Sequence, residues 1–165
     1  VDWRDDRIGS AQRGENPTVL AELSAGFAVI GDAQFLPGYC VLLGKDPSAS
    51  ALGELSRQER VQFLADADLL ATAVERACRS TDPAFRRVNL EVLGNRDTFV
   101  HAHVWPRYRW EPAHRVTRPV WDYDASHWRD PATALGPKQT ELRERIAREL
   151  EALVLADALR ITATA

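Results

Sequence analysis

The chain has 165 residues, 45% of them hydrophobic and 27% charged, with 21 Lys and Arg against 24 Asp and Glu. At that length roughly 68–70% of the unfolded surface can be buried, so a packed core needs no disulfide or metal staple and disorder is not expected. No apolar run approaches the ~20 residues of a membrane helix, residues 1–16 are too polar for a secretory signal, and a net charge of −3 argues against broad coating of nucleic acid; a single cytoplasmic domain with neither a membrane nor a nucleic-acid partner is expected.

Asn16-Pro17 has the form of an N-cap followed by a first helical residue, and Val19, Leu20 and Leu23 recur near helical spacing. The spacing predicts a short helix ending before Gly26. Residues 27–30 and 39–43 are compact apolar runs on either side of a turn-like stretch, 31–38, and read as an antiparallel strand pair. After a loop over 44–53, Ser56-Arg57-Gln58-Glu59 forms a capping box. Val61, Leu64, Ala65, Leu69, Val74 and Cys78 then mark one face of a long helix to about Arg79. Thr81-Asp82-Pro83 ends it.

Across 85–93, Val88, Leu90 and Val92 alternate with Arg87, Asn89 and Glu91, the pattern of a half-buried strand. A Gly94-Asn95 turn and a second strand over 98–105, closed by Pro106, follow. Residues 107–135 are rich in Pro, Trp, Asp and His without periodicity and are expected to be irregular. Gly136-Pro137 opens a last helix over 137–157, with Leu142, Ile146, Leu150 and either Leu153 or Val154 on one face, fraying after Leu159. The fold class is therefore α+β: an antiparallel sheet, a long crossing helix and a C-terminal helix. Cys40 and Cys78 lie in apolar stretches without a paired spacing and read as buried thiols.

Two biases point to chemistry. Of the 21 basic residues 19 are Arg, and His101, His103, His114 and His127 all fall within 27 residues. Residues 85–118 carry seven Arg against Glu91, Asp97 and Glu111, a local charge of +4. Such a cluster suits one or two phosphates, because guanidinium is always charged and grips oxyanions bidentately. Arg as the ordinary surface cation of the chain is an equal alternative.

Within Phe99-Val100-His101-Ala102-His103-Val104-Trp105 a strand places Phe99, His101 and His103 on one face. The two histidine Cα atoms would stand about 6.5–7 Å apart, close enough to address one phosphate. The spacing alone also fits a metal site or two surface histidines. In context, the segment resembles the signature of the histidine triad family, His-φ-His-φ-His-φ-φ, with Phe99 in place of the first histidine and Pro106-Arg107-Tyr108 extending the match. The strands 27–30 and 37–43, the helix after Ser56, the strand 88–92 and the Gly94-Asn95 turn follow the family's order. The resemblance covers residues 16–110, and Pro119-Val120-Trp121 is similar to a bacterial branch of the family.

The resemblance implies a nucleotide-binding α+β fold, usually a homodimer, that hydrolyses nucleotides or transfers nucleotidyl groups, as dinucleoside polyphosphate hydrolases do. It implies that His101 attacks an α-phosphorus to give a covalent nucleotidyl-histidine, that His103 contacts a phosphate oxygen, and that the His103 carbonyl fixes the His101 tautomer. No resident cofactor is expected; a divalent cation could arrive with the nucleotide. Asp32 is the expected ribose acceptor beside Gly31, where the family carries Asn, and Asn89, Asn95, Arg96 and Arg107 are the expected substrate contacts, with Arg109 and the Gly94 amide as further phosphate donors. Tyr39 stands where a histidine often follows Pro-Gly, so altered substrate recognition is expected. Trp105, Trp110, Trp121 and Trp128 are read as packing of the irregular segment before base stacking, and His114 and His127 as surface or capping residues. Against the enzyme stand two other readings, a non-catalytic nucleotide-binding module and a His-x-His metal site.

Overall fold

A computed structural model describes residues 2–164. Five antiparallel strands form one sheet in the order β1-β2-β3-β5-β4: β1 (Val19–Glu22), β2 (Gly26–Ile30), β3 (Cys40–Gly44), β4 (Phe85–Val92) and β5 (His101–Tyr108). The expected α+β architecture is present. The register aligns Ala28, Leu42 and Ala102 in one row and Ile30, Cys40 and Val104 in the next. All six side chains are essentially sealed from solvent, on the face crossed by helix α2 (Arg57–Thr81), which contacts β2, β3, β4 and β5. Cys40 and Cys78 are free and buried in this layer. Burial pushes both thiols up, Cys78 to about 11, so neither is a ready nucleophile.

The capping box forms as expected: the Ser56 hydroxyl accepts from the Glu59 amide and the Glu59 carboxylate from the Ser56 amide. These bonds satisfy helix-end donors that have no intrahelical acceptor. Ser56→Ala should therefore lower stability by about 1 kcal/mol, read as a shifted urea midpoint at unchanged m-value.

Several expectations need correction. The helix expected after Asn16-Pro17 is instead β1. The Asn16 side chain turns back on its own loop, its Oδ1 accepting from the Thr18 amide and hydroxyl, which leaves the following residues extended and free to pair with the edge of β2. A short helix α1 (Arg7–Gln12), capped by Asp6, precedes it. The histidine strand starts at His101 and continues through Pro106 to Tyr108. Pro106 is tolerated because it lies beyond Val104, the last residue of β5 with a β3 partner, on a stretch with one free edge. The irregular segment contains only short 3-10 turns, as expected. Helix α3 (Thr140–Thr164) follows a 3-10 turn at Pro137–Gln139 and runs past both the expected end and the expected fraying point. Ile146 and Leu150 are fully buried with Leu142 and Leu153 packed beside them, while Val154 faces out.

On β4 the expected burial is reversed past Val88: Leu90 is 42% and Val92 37% exposed, while Asn89 and Glu91 are partly buried on the histidine face.

Candidate functional site

The second sheet face carries the histidines. In β5, alternation puts His101, His103, Trp105 and Arg107 on this side; β3 supplies Val41 opposite His103 and Leu43 opposite His101, and β4 supplies Glu91 opposite His103, Asn89 opposite Trp105 and Arg87 opposite Arg107. His101 is only 5% exposed. Its Nδ1 lies 2.7 Å from the Phe99 carbonyl oxygen and its Nε2 3.1 Å from the His103 Nε2. A carbonyl can only accept, so Nδ1 of His101 carries the hydrogen and Nε2 presents a lone pair. The fixing carbonyl is thus that of Phe99, two residues before the imidazole, not of His103 as expected. Position 99 acts here through its backbone, which needs no particular side chain. The Phe99 ring packs against His101 at 5.2 Å.

His103 is enclosed by aromatic rings. Its Nδ1 is 2.7 Å from the Tyr39 hydroxyl, and Trp121 stands edge-on at 4.9 Å. Tyr39 itself stacks on Trp105 at 3.5 Å, and Trp121 on Trp128 at 5.8 Å. The tryptophans therefore pack the irregular segment onto the histidine face. The Trp121 indole donates to Glu91 at 2.6 Å, tying that segment to β4 and occupying the carboxylate nearest His103 in register.

Burial, and secondarily the neighbouring His101, push the His103 imidazole down to about 4. An unfolded histidine titrates near 6.5. Between these values the unfolded chain holds the extra proton, so the stability from neutral His103 is complete above about 6.5 and is lost as pH falls towards about 4. Stability measured by urea unfolding should decline less steeply from pH 7 to 4.5 in His103→Gln than in the wild type, and the His103 ring resonances should titrate with a midpoint near 4.

The remaining expected contacts divide. Asn89 lies on the histidine face, partly buried. Asp32 is held by Arg7 at 2.6 Å, so a ribose would have to share or displace that guanidinium. Asn95 and Arg96 are exposed in the loop before β5, beside Gly94. Arg107, expected to contact substrate, is instead buried and engaged by its own chain: it donates Nε and Nη2 to Glu111, Nη1 to the Arg118 carbonyl and Nη2 to the Arg115 carbonyl, so four of its five N–H donors are already taken. Arg109 donates to the Pro83 carbonyl at the far end of β4. Arg87, one of the seven clustered arginines, lines an open cavity of about 300 Å³ with Arg86, Asn89, Glu91, Arg107 and Arg118. His114 is exposed, and His127 packs on Phe35 and Tyr123. Among the described residues no three His, Cys, Asp or Glu side chains converge as metal ligands, and no helix is long and apolar enough to cross a membrane.

Solved structures share this fold. A histidine triad protein from Marinobacter aquaeolei superposes with a TM-score of 0.65 at 19% identity, over 82% of this chain and 89% of that one. One from Sinorhizobium meliloti gives 0.66 at 17% identity, over 90% and 95%. A hypothetical histidine triad nucleotide-binding protein from Sulfolobus tokodaii gives 0.62 at 14%, over 88% and 91%. No protein-family model and no curated protein matches the sequence. At such identities the likeness is one of backbone architecture, and in these terms the chain has the histidine triad fold.

Proposed function

We propose that this chain, with the histidine triad fold and two facing imidazoles, is a nucleotide hydrolase or nucleotidyltransferase acting at an α-phosphorus. The observation that carries the reading is the Phe99 carbonyl on His101 Nδ1, which leaves the Nε2 lone pair, on the side of His103, as the nucleophile. In the proposed reaction, on a phosphoanhydride, phosphoester or phosphoramidate, a bond forms between Nε2 and phosphorus as the bond from phosphorus to the leaving oxygen or nitrogen breaks. The leaving group departs with that electron pair. Water or another acceptor then displaces the nucleotidyl group from His101. His103, neutral at pH 7, offers a hydrogen to a phosphate oxygen, and Asn89 and the amides around Gly94 and Asn95 are candidate partners for the remaining charge. A divalent cation carried by the nucleotide would assist in neutralising it, and a homodimer is the proposed assembly.

Steady-state assays over dinucleoside polyphosphates, nucleoside phosphoramidates and nucleotide sugars test the reading, with turnover of at least one class expected. The second reading, a nucleotide-binding module without turnover, draws support from the burial of His101 and from its Nε2 being in contact with His103. Calorimetric binding of AMP with no product from any of the three classes would select it and overturn the first.

A further inference from the structure

Tyr39 and Gly31 are two positions where the chain departs from the pattern it resembles, and the structure joins them into one packing unit. A Cβ built on Gly31 would lie 2.2 Å from Cδ1 of the Tyr39 ring. Only a residue without a side chain leaves the phenol room. The Gly31 amide also donates to the Tyr39 carbonyl at 2.9 Å, and Trp105 covers the opposite side of the ring at 3.5 Å and 3° between planes. The phenol is clamped with its hydroxyl on His103 Nδ1.

We infer that Tyr39 is a positioning residue that holds His103 in its Nε2–H form, and that Gly31 is the space this requires. The inference follows from counting hydrogens along the chain Tyr39–His103–His101–Phe99. At the Phe99 end the carbonyl forces the hydrogen onto Nδ1 of His101, leaving Nε2 bare. Were His103 protonated on Nδ1 instead, two bare Nε2 lone pairs would face one another at 3.1 Å, and the Tyr39 hydroxyl hydrogen would have no acceptor among the contacts of the site. With Tyr39 donating to Nδ1, His103 carries its hydrogen on Nε2 and donates it to His101, and every hydrogen in the chain has an acceptor. Burial raises the Tyr39 pKa, which keeps the phenol a donor. The acid opposite His103, Glu91, is engaged by the Trp121 indole, leaving the phenol as the group that sets the Nδ1 side of the imidazole, with the His101 lone pair on the Nε2 side.

In terms of the function proposed above, on which this step rests, Nε2–H of His103 is the hydrogen that passes from the His101 lone pair to a substrate phosphate oxygen when the nucleotide enters. Tyr39 thus acts through His103, as partners behind a ligand or base do elsewhere at a cost of about 10–100-fold when removed.

The test is a long-range proton–nitrogen correlation spectrum of the histidine rings, which reads the tautomer without any substrate. Wild type is expected to show His103 with a protonated Nε2 and a bare Nδ1. Tyr39→Phe keeps the stacked ring but lacks the donor, and should turn His103 to a mixture of tautomers; Gly31→Ala, which dislodges the ring, should do the same. In turnover assays Tyr39→Phe should lower kcat about 10–100-fold with KM changed less than twofold. His103 remaining Nε2-protonated in Tyr39→Phe would overturn the inference. Absence of turnover in the wild type would instead defeat the proposed function and leave the spectroscopic result standing.

Discussion

His101→Ala is expected to abolish turnover, with kcat falling about 10⁴-fold or more, while the protein remains folded. The magnitude follows from the absence of a substitute nucleophile. The neighbouring imidazole, His103, has Nδ1 against the Tyr39 hydroxyl and Nε2 directed at His101, and its low basicity near pKa 4 makes it a weak attacking group. Alanine removes the imidazole from a pocket walled by Phe99, Leu43 and His103. The strand hydrogen bonds of β5 are untouched, so the sheet should persist. A complementary measurement traps the intermediate: wild type mixed with nucleotide labelled at the α-phosphate and denatured rapidly at alkaline pH, where a phosphoramidate survives, should carry label on His101. Undiminished hydrolysis by the alanine variant would end the covalent reading.

The parts of this molecule legible in the sequence are those fixed by short-range pattern. The pair β2 and β3, the capped helix after Ser56 and the histidine strand each carry their signal in neighbouring residues, through apolar runs, a box of four and strict alternation. The strand β1 was not legible, because its four residues take their conformation from the edge of β2 and from the turn made by Asn16, a tertiary decision over a weak local one. Site residues divide the same way. Alternation alone brings His101 and His103 together. The partner of His101 Nδ1 is not legible, because a backbone carbonyl has no signature in a side-chain sequence. The service of Tyr39 to His103 spans 64 residues and depends on space left at Gly31, so neither departure is interpretable singly. Arg107 shows the reverse hazard. Its place beside the histidine motif suggested a phosphate ligand, and only the fold reveals that Glu111, one turn of chain away, has already taken it.

That pair supports the second large effect. Glu111→Gln should destabilise the protein by about 3–5 kcal/mol, the range for removing one partner of a buried ion pair. Both side chains are almost wholly buried, and Glu111 also accepts from the Tyr108 amide and the Tyr123 hydroxyl at 2.7 Å. Neutralising it leaves the Arg107 guanidinium buried without a counter-charge. Because Arg107 also bonds the Arg115 and Arg118 carbonyls, the ion pair fastens the irregular segment to the sheet. Removing the pair altogether, in Arg107→Met with Glu111→Leu, should not restore stability as such replacements do elsewhere, since those carbonyls and the Tyr123 hydroxyl would lose their partners. Loosening of the segment carries Trp121 away from His103, so the Glu111→Gln variant should show red-shifted tryptophan emission and reduced turnover at temperatures below its unfolding transition. A Glu111→Gln protein with an unchanged denaturation midpoint and unshifted emission would show that contacts other than the ion pair, the Trp121–Glu91 bond and the Trp121 and Trp128 packing among them, hold the segment on the histidine face.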